Sequence, residues 1–198
     1  MQLTPVGEQF FSVQDALTTR VELSPKQLEF KLGPMPPGKF RLEAWVKGTD
    51  GYLAGVAQEG RGLASPVLDL SQAGDWTNLD LRVRFDMARP TIRTPAQTSL
   101  SDFTMYRVVL VPDRNQNPFG QYLEGFCGPD GACAISPLPP GRYWVIALSH
   151  EIARGLDLRD PQDRNRLAAW GRNIDFSPGQ NAAVELRPVP EEALEGIY

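Results

Sequence analysis

Reactive side chains are scarce in this sequence, which contains one histidine and two cysteines. Structural zinc sites usually need four ligands, so this set does not predict one. The 20 basic and 24 acidic residues are scattered, and no basic block is present to neutralise a row of phosphates. No apolar run approaches the roughly 20 residues that cross a bilayer, and residues 1–30 lack the pattern of a signal peptide. We therefore expect no nucleic-acid partner, no cofactor and no transmembrane segment. Any export signal is expected to lie outside this chain.

The sequence also offers little catalytic chemistry. Ser149, His150 and Glu151 are consecutive, but neighbours on an extended chain point to opposite faces and do not build a nucleophile and base pair. His150 is better interpreted as a polar residue at a strand end. Three aspartates at three-residue spacing, from Asp157 to Asp163, lack the glycine-centred loop of a calcium site and fit a helix cap. We predict no catalytic, cofactor-binding or metal-binding residue and a protein that is not an enzyme.

What the chain does contain is typical of β structure. Its 18 glycines and 18 prolines separate short apolar runs, as turns do between strands. The segment 80–86 alternates and places Leu81, Val83 and Phe85 on one face. The required helices of βαβ units are missing, and the one short helix predicted runs from Pro161 to Trp170, capped by Asp160. The predicted fold is all-β, with two tandem antiparallel β-sandwich domains (prealbumin- or immunoglobulin-like) and one helix in the second.

Proline-rich and polar stretches suggest the domain boundaries. Between Phe85 and Phe103 the chain contains Ala-Arg-Pro, Arg-Thr-Pro and Gln-Thr-Ser sequences without hydrophobic period, as linkers do. The predicted division is a first sandwich over 1–88, a linker over 89–102, a second sandwich over 103–190 and a tail over 191–198.

One strand of the second domain needs cover on both sides. Residues 143–148 are apolar at every position, so both faces of this strand must be buried. We predict that the excursion 152–171 packs on the second face through its large apolar residues, which are Leu156, Leu158, Leu167 and Trp170.

The two cysteines are placed to close a hairpin. Cys127 and Cys133 flank Gly-Pro-Asp-Gly-Ala, a turn-forming insert, so strands that pair across it bring the sulfurs opposite one another. A disulfide would indicate an oxidising compartment. The alternative is a pair of reduced, partly buried thiols in a cytosolic protein.

An internal repeat is the strongest motif. Met-Pro-Pro-Gly-Lys-Phe at 35–40 matches Leu-Pro-Pro-Gly-Arg-Tyr at 138–143, each followed by alternating residues. The prolines stiffen the connection, the glycine permits a tight reversal and the aromatic residue anchors the next strand in the core. These stretches resemble the carboxypeptidase regulatory-like domains, which are transthyretin-like or starch-binding-like β-sandwiches of bacterial envelope and secreted proteins. Cys133 stands where those domains usually have an aromatic residue, and the first repeat lacks their Asp-Gly turn.

The resemblance implies scaffold, adhesion or assembly roles and does not imply peptidase activity. The predicted function is a non-enzymatic structural or protein-interaction module of a bacterial cell-envelope or secreted protein, located extracellularly, in the periplasm or at the cell surface. Its partners would be other domains or proteins of the envelope. The alternative is a carbohydrate-binding module that uses Trp45 and Trp76 as stacking platforms. Trp45 lies on the polar side of its strand. If it is not a stacking platform, we expect the linker or the second domain to cover it. The corresponding structural interpretation of Trp76 is a residue that folds back over the edge of the core.

Overall fold

The computed structural model describes residues 2–5, 19–20, 36–43, 45–46, 50–71, 79–97, 104–153 and 155–194. The chain divides into two compact units, Met1–Phe85 and Asp86–Tyr198. Strands dominate the residues that the structure describes in each unit, which confirms the all-β class. None of the helices in the described ranges has the length and apolar character that a membrane crossing requires.

The first unit contains two sheets among its described strands. One has the order β2-β1-β3-β7, formed by Gln2–Pro5 (β1), Thr19–Arg20 (β2), Lys39–Glu43 (β3) and Val67–Asp69 (β7). The other consists of Trp45–Val46 (β4), Gly51–Gln58 (β5), Arg61–Gly62 (β6) and Leu79–Arg84 (β8), with β4, β6 and β8 all paired to β5. The alternation of β8 is as predicted for Leu81 and Val83, which are half-buried. Phe85 lies beyond the end of the strand and is 62% exposed, so its predicted inward position is wrong.

The repeated Pro-Pro-Gly motif adopts the same backbone feature in both units. Gly38 has φ of 153° and Gly141 has φ of 135°, a region that side chains disfavour. The aromatic residue two positions later is fully buried in each case, as Phe40 and as Tyr143. The Tyr143 hydroxyl donates to the carbonyl of Pro139 at 2.8 Å, which satisfies the buried polar group. The motif therefore anchors the following strand, as its sequence predicts.

The second unit is built on one seven-stranded sheet of order β14-β13-β10-β11-β12-β9-β15. Its strands are Thr91–Arg93 (β9), Tyr106–Pro112 (β10), Leu123–Cys127 (β11), Ala132–Cys133 (β12), Gly141–Ser149 (β13), Arg172–Phe176 (β14) and Ala183–Glu185 (β15). One face of the sheet packs on a core that includes Val108, Leu110, Tyr143, Val145, Ile92 and Phe176.

The sheet departs from the predicted arrangement in two respects. β9 lies inside the range predicted as a linker, and its central residue, Ile92, is buried in the core. β15 pairs with β9 in parallel, whereas a purely antiparallel fold was expected. Val184, in β15, and Leu186, just after it, are buried.

The two ends of this sheet approach each other through the C-terminal segment. The Arg172 side chain, on β14, donates to the carbonyl of Glu185, on β15, at 2.9 Å. The backbone N–H of Val189 donates to the carbonyl of Ala147 on β13. Val189 is buried in a second core cluster, which also contains Val109 and Ile146. Ala193, in a 3-10 helix over Glu191–Leu194, packs against this second cluster. The first residues of the range predicted as a tail thus belong to the second unit's packing.

Two short helices follow β13, whereas the sequence predicted one. α1 spans His150–Ala153, and α2 spans Pro161–Arg166 with Asp160 as its N-cap. The Asp160 carboxylate accepts the N–H of Gln162 at 2.8 Å, as the capping prediction requires. Helix α2 ends at Arg166 and not at Trp170, because the chain continues there in tighter turns, with the N–H of Trp170 bonded to the carbonyl of Leu167.

The excursion covers the second face of the sheet, which confirms the prediction for three of its four apolar residues. Leu158 and Leu167 are buried against Ile146 and Leu148, and Leu156 packs at the margin. Trp170 is the exception, since it is 44% exposed.

Leu167→Ala tests this packing. Removing a fully buried leucine from the second cluster leaves a cavity, so the free energy of unfolding should fall by about 2 to 5 kcal/mol. The measurement is urea denaturation followed by circular dichroism. Asn165→Ala, at an exposed position of helix α2 two residues earlier, is the control and should change stability little. Equal stability of Leu167→Ala and the unmodified protein would contradict the packing described.

Candidate functional site

The predicted cysteine pair is brought together. Cys127 on β11 and Cys133 on β12 are directly paired, and their sulfurs lie 2.09 Å apart, the separation of a disulfide bond. The N–H of Gly128 donates to the carbonyl of Ala132, and the N–H of Ala134 donates to the carbonyl of Phe126. These bonds flank the two cysteines, which are not hydrogen-bonded to each other. Cα atoms approach most closely at such a non-hydrogen-bonded pair. The hairpin is thus covalently closed next to Phe126.

Phe126 marks a distinctive surface on the opposite face of the sheet from the main core. Phe126 is directly opposite Arg107 in the β10–β11 ladder, and its ring is 47% exposed. The ring meets His150 edge-on, with centroids 5.4 Å apart at 71°. We call the area formed by Arg107, Tyr122, Glu124, Phe126 and His150 the Phe126 surface.

Beside the exposed ring lies a connected polar cluster. Arg107 and Glu124 form a close ion pair in which only 19% and 30% of the two side chains are exposed. The Tyr122 hydroxyl donates to the Glu124 carboxylate at 2.5 Å. The Arg159 guanidinium, from the excursion, lies 4.6 Å from the centre of the Tyr122 ring. The cluster joins β10, β11 and the excursion.

The cluster controls the protonation of its own members. Burial raises the pKa of the Tyr122 hydroxyl, and the hydrogen bond to Glu124 and the charge of that carboxylate raise it further. Burial opposes ionisation of Glu124, but the hydrogen bonds from Arg107 and Tyr122 outweigh it and lower the pKa of the carboxyl. Glu124 therefore stays ionised and Tyr122 stays protonated at neutral pH, which keeps their hydrogen bond and the ion pair intact.

The serine, histidine and glutamate run does not assemble a nucleophile. Ser149 is buried at the end of β13, while the His150 ring lies against Phe126 on the Phe126 surface. The Ser149 hydroxyl has no hydrogen-bond partner within the described part of the chain. Among the described residues, no group of three or more His, Cys, Asp or Glu side chains is placed to hold a metal ion.

The side chains of the two predicted tryptophan platforms lie outside the described part of the structure. Trp45 lies in β4, where its backbone pairs with Tyr52, and its side chain is outside the described part of the structure. Trp76 lies outside the described residues altogether. Sequence reasoning missed the Phe126 surface, although a signal was present: period two over 122–126 places Tyr122, Glu124 and Phe126 on one strand face.

Comparisons of this chain with protein-family models, with curated proteins and with solved structures find no match. The resemblance to carboxypeptidase regulatory-like domains therefore stays a prediction that rests on the repeated Pro-Pro-Gly motif.

Glu124→Gln tests the electrostatics of the cluster. Because the folded-state pKa of Glu124 lies below its usual value of 4.5, its charge stabilises the fold above that value, and this stability is lost as the pH falls through the folded-state pKa. The unmodified protein should be more stable than Glu124→Gln at neutral pH, and the difference should shrink on acidification. The measurement is the urea midpoint as a function of pH.

Tyr122→Phe is the matched control, since it removes only one of the two hydrogen bonds and should give an intermediate pH profile. Parallel profiles for all three proteins would contradict the described role of Glu124.

Proposed function

We propose that this chain is a non-enzymatic protein-interaction module of an exported or cell-envelope protein, and that the Phe126 surface is where it contacts its partner. The observation that carries the proposal is the exposure of Phe126. A phenylalanine ring that is 47% exposed stands on a sheet face whose neighbouring apolar residues, Val109 and Val111, are buried. Burial of such a ring in a partner's pocket yields a favourable hydrophobic contribution.

The residues around Phe126 suit a protein contact. Arginine, tyrosine and other aromatic residues are enriched at the centres of protein interfaces, and Arg107 and Tyr122 are held in place by Glu124 and Arg159. A surface that is ordered before binding loses less side-chain entropy on association. The ion pair is also already compensated, so covering it does not strand an unpaired charge.

The family and the location are part of the same proposal. The Pro-Pro-Gly motif, with its positive-φ glycine and buried aromatic residue in both units, supports a tandem pair of carboxypeptidase regulatory-like sandwiches. A closed cysteine pair supports an oxidising compartment, which in bacteria means the periplasm, the cell surface or the medium. In that setting the partners are other domains or proteins of the envelope.

Site-specific crosslinking at position 126 tests the proposed contact. Benzoylphenylalanine in place of Phe126 should yield one discrete protein adduct when the chain is irradiated with an envelope extract of its source cells. The same photoreactive residue at the exposed position 168 is the control and should not give that adduct.

Once purified, the crosslinked partner should bind Phe126→Ala at least about tenfold more weakly than the unmodified protein. Phe85→Ala, which removes another exposed phenylalanine, should leave the dissociation constant unchanged. The proposal fails if Phe126→Ala binds the partner with full affinity, or if the purified chain has hydrolase activity that substitution of one acid or of His150 abolishes.

A further inference from the structure

Three contacts lie side by side where β11 meets β12. Cys127 and Cys133 form the disulfide. The N–H of Ala134 donates to the carbonyl of Phe126 at 2.9 Å. Gly125 packs so closely that a Cβ atom there would lie 2.1 Å from the Ala134 carbonyl oxygen. We call this junction of five residues the seam, and Phe126 lies within it, between two positions that are both in contact with β12 or the residue after it.

The β12 side of the seam is attached to β9. β12 pairs with β9 at two positions and with β11 at one. The N–H of Thr94 donates to the carbonyl of Gly131, and the N–H of Gln97 donates to the carbonyl of Pro129, both at 2.8 Å. Opening the disulfide therefore leaves the turn and β12 bonded to β9. Among the described residues, the junction with β11 then depends on the two backbone hydrogen bonds that flank the cysteines.

The disulfide lies beside an exposed turn. Cys127 is 3% exposed, whereas Cys133 is half-buried, and Pro129 and Asp130 between them are exposed. An exposed disulfide is reduced more readily than one enclosed in a core. The cysteines are six positions apart, and a disulfide across so short a loop restricts the unfolded chain less than one across a long loop. Loss of the bond is thus expected to affect the seam more than the fold of the whole unit.

We propose that the Cys127–Cys133 disulfide is a redox switch for the Phe126 surface, and that its reduction by a dithiol weakens partner binding. This inference rests on the proposed function, since it assigns regulation to the same surface. In the oxidised chain the seam fixes the Phe126 backbone, and the ring meets His150 with centroids 5.4 Å apart. In the reduced chain that backbone gains freedom, so binding must order the ring again at a cost in entropy.

The reduction is a thiol–disulfide exchange. A thiolate of the dithiol attacks Sγ of Cys133, the more exposed cysteine, which forms a mixed disulfide and releases Cys127 as a thiolate that takes up a proton. The second thiolate of the reductant then attacks the reductant's own sulfur in the mixed disulfide, and Cys133 is released and protonated. Two electrons and two protons pass from the dithiol to the cysteine pair, and the reductant leaves as its disulfide. The Cys127 thiol remains in the apolar core as a small hydrophobic group.

Fluorine NMR of the full chain with 4-fluorophenylalanine at position 126 tests the switch without a partner. Dithiothreitol is the reductant, alkylation and mass spectrometry count the free thiols, and circular dichroism monitors the fold. We expect the reduced chain to stay folded, the resonance at position 126 to shift or broaden, and reoxidation to restore it. The matched control carries the same label at position 85, an exposed phenylalanine of the first unit, and should not respond.

Photocrosslinking tests the effect on the partner. With benzoylphenylalanine at position 126, the oxidised chain should form its protein adduct at least about tenfold more efficiently than the reduced chain. The double variant Cys127→Ser with Cys133→Ser cannot close the bond and should crosslink as weakly as the reduced chain, with or without dithiothreitol. This variant separates the switch from any effect of the reductant on the partner, and the reduced unmodified chain decides the result if the variant does not fold.

The switch is overturned if dithiothreitol frees the thiols only by unfolding the chain, or if full reduction leaves the resonance at position 126 unchanged. It is also overturned if the folded double-serine variant crosslinks as efficiently as the oxidised chain. An oxidised chain that forms no adduct contradicts the proposed protein contact instead, and the fluorine spectrum alone then decides whether the disulfide controls the position of Phe126.

Discussion

The pair formed by Cys127 and Cys133 holds together two parts of the second unit's sheet. Strands β14, β13, β10 and β11 form one part of the strand order, and β9 and β15 form the other. Within the strand order they are connected through β12, which is two residues long and whose ladder with β11 consists of this one pair. At the other end, the contacts are the hydrogen bond from Arg172 to Glu185 and that from Val189 to Ala147. A ladder this short contributes little by itself, and a covalent bond at the same position compensates for it by restricting the unfolded chain. The core depends on the connection, because Ile92 and Val184 pack from one part against Val108 and Val145 from the other.

The same connection positions the Phe126 surface. Phe126 precedes Cys127 on β11 and therefore points to the opposite face of the sheet, away from the main core. Its carbonyl accepts the N–H of Ala134 at 2.9 Å, just beyond the cysteine pair, so the backbone is bonded on both sides of this residue. On the surface itself, the Arg107–Glu124 pair holds β10 to β11, and Arg159 holds the excursion to Tyr122. The proposed contact is thus built on ordered strands.

Features determined by local sequence were predictable, whereas features that depend on distant partners were not. The Pro-Pro-Gly motif, the Asp160 cap and the cysteine hairpin each involve residues close together in the chain, where steric and hydrogen-bonding rules apply directly. The sequence of β9 predicts a linker, because it has one apolar residue, Ile92, between prolines. It becomes a strand through its pairing with β12 and β15, which no local pattern reveals. The exposure of Trp170 follows from the early end of the preceding helix, which a periodic pattern does not encode. The Phe126 surface required knowledge of which strands are neighbours, since Arg107 comes from a different strand.

Hydrogen–deuterium exchange of the oxidised and the reduced protein, resolved by peptide, tests most directly the claim that the cysteine pair joins the two parts of the sheet. The account predicts that reduction speeds exchange at the amides of β12, β9 and β15 and around Phe126, while the β10–β13 ladder, with seven paired positions, stays protected. Exchange that is unchanged everywhere on reduction would show that the connection does not depend on the disulfide. Exchange that rises equally in β10 and β13 would show that the sheet does not divide at this pair.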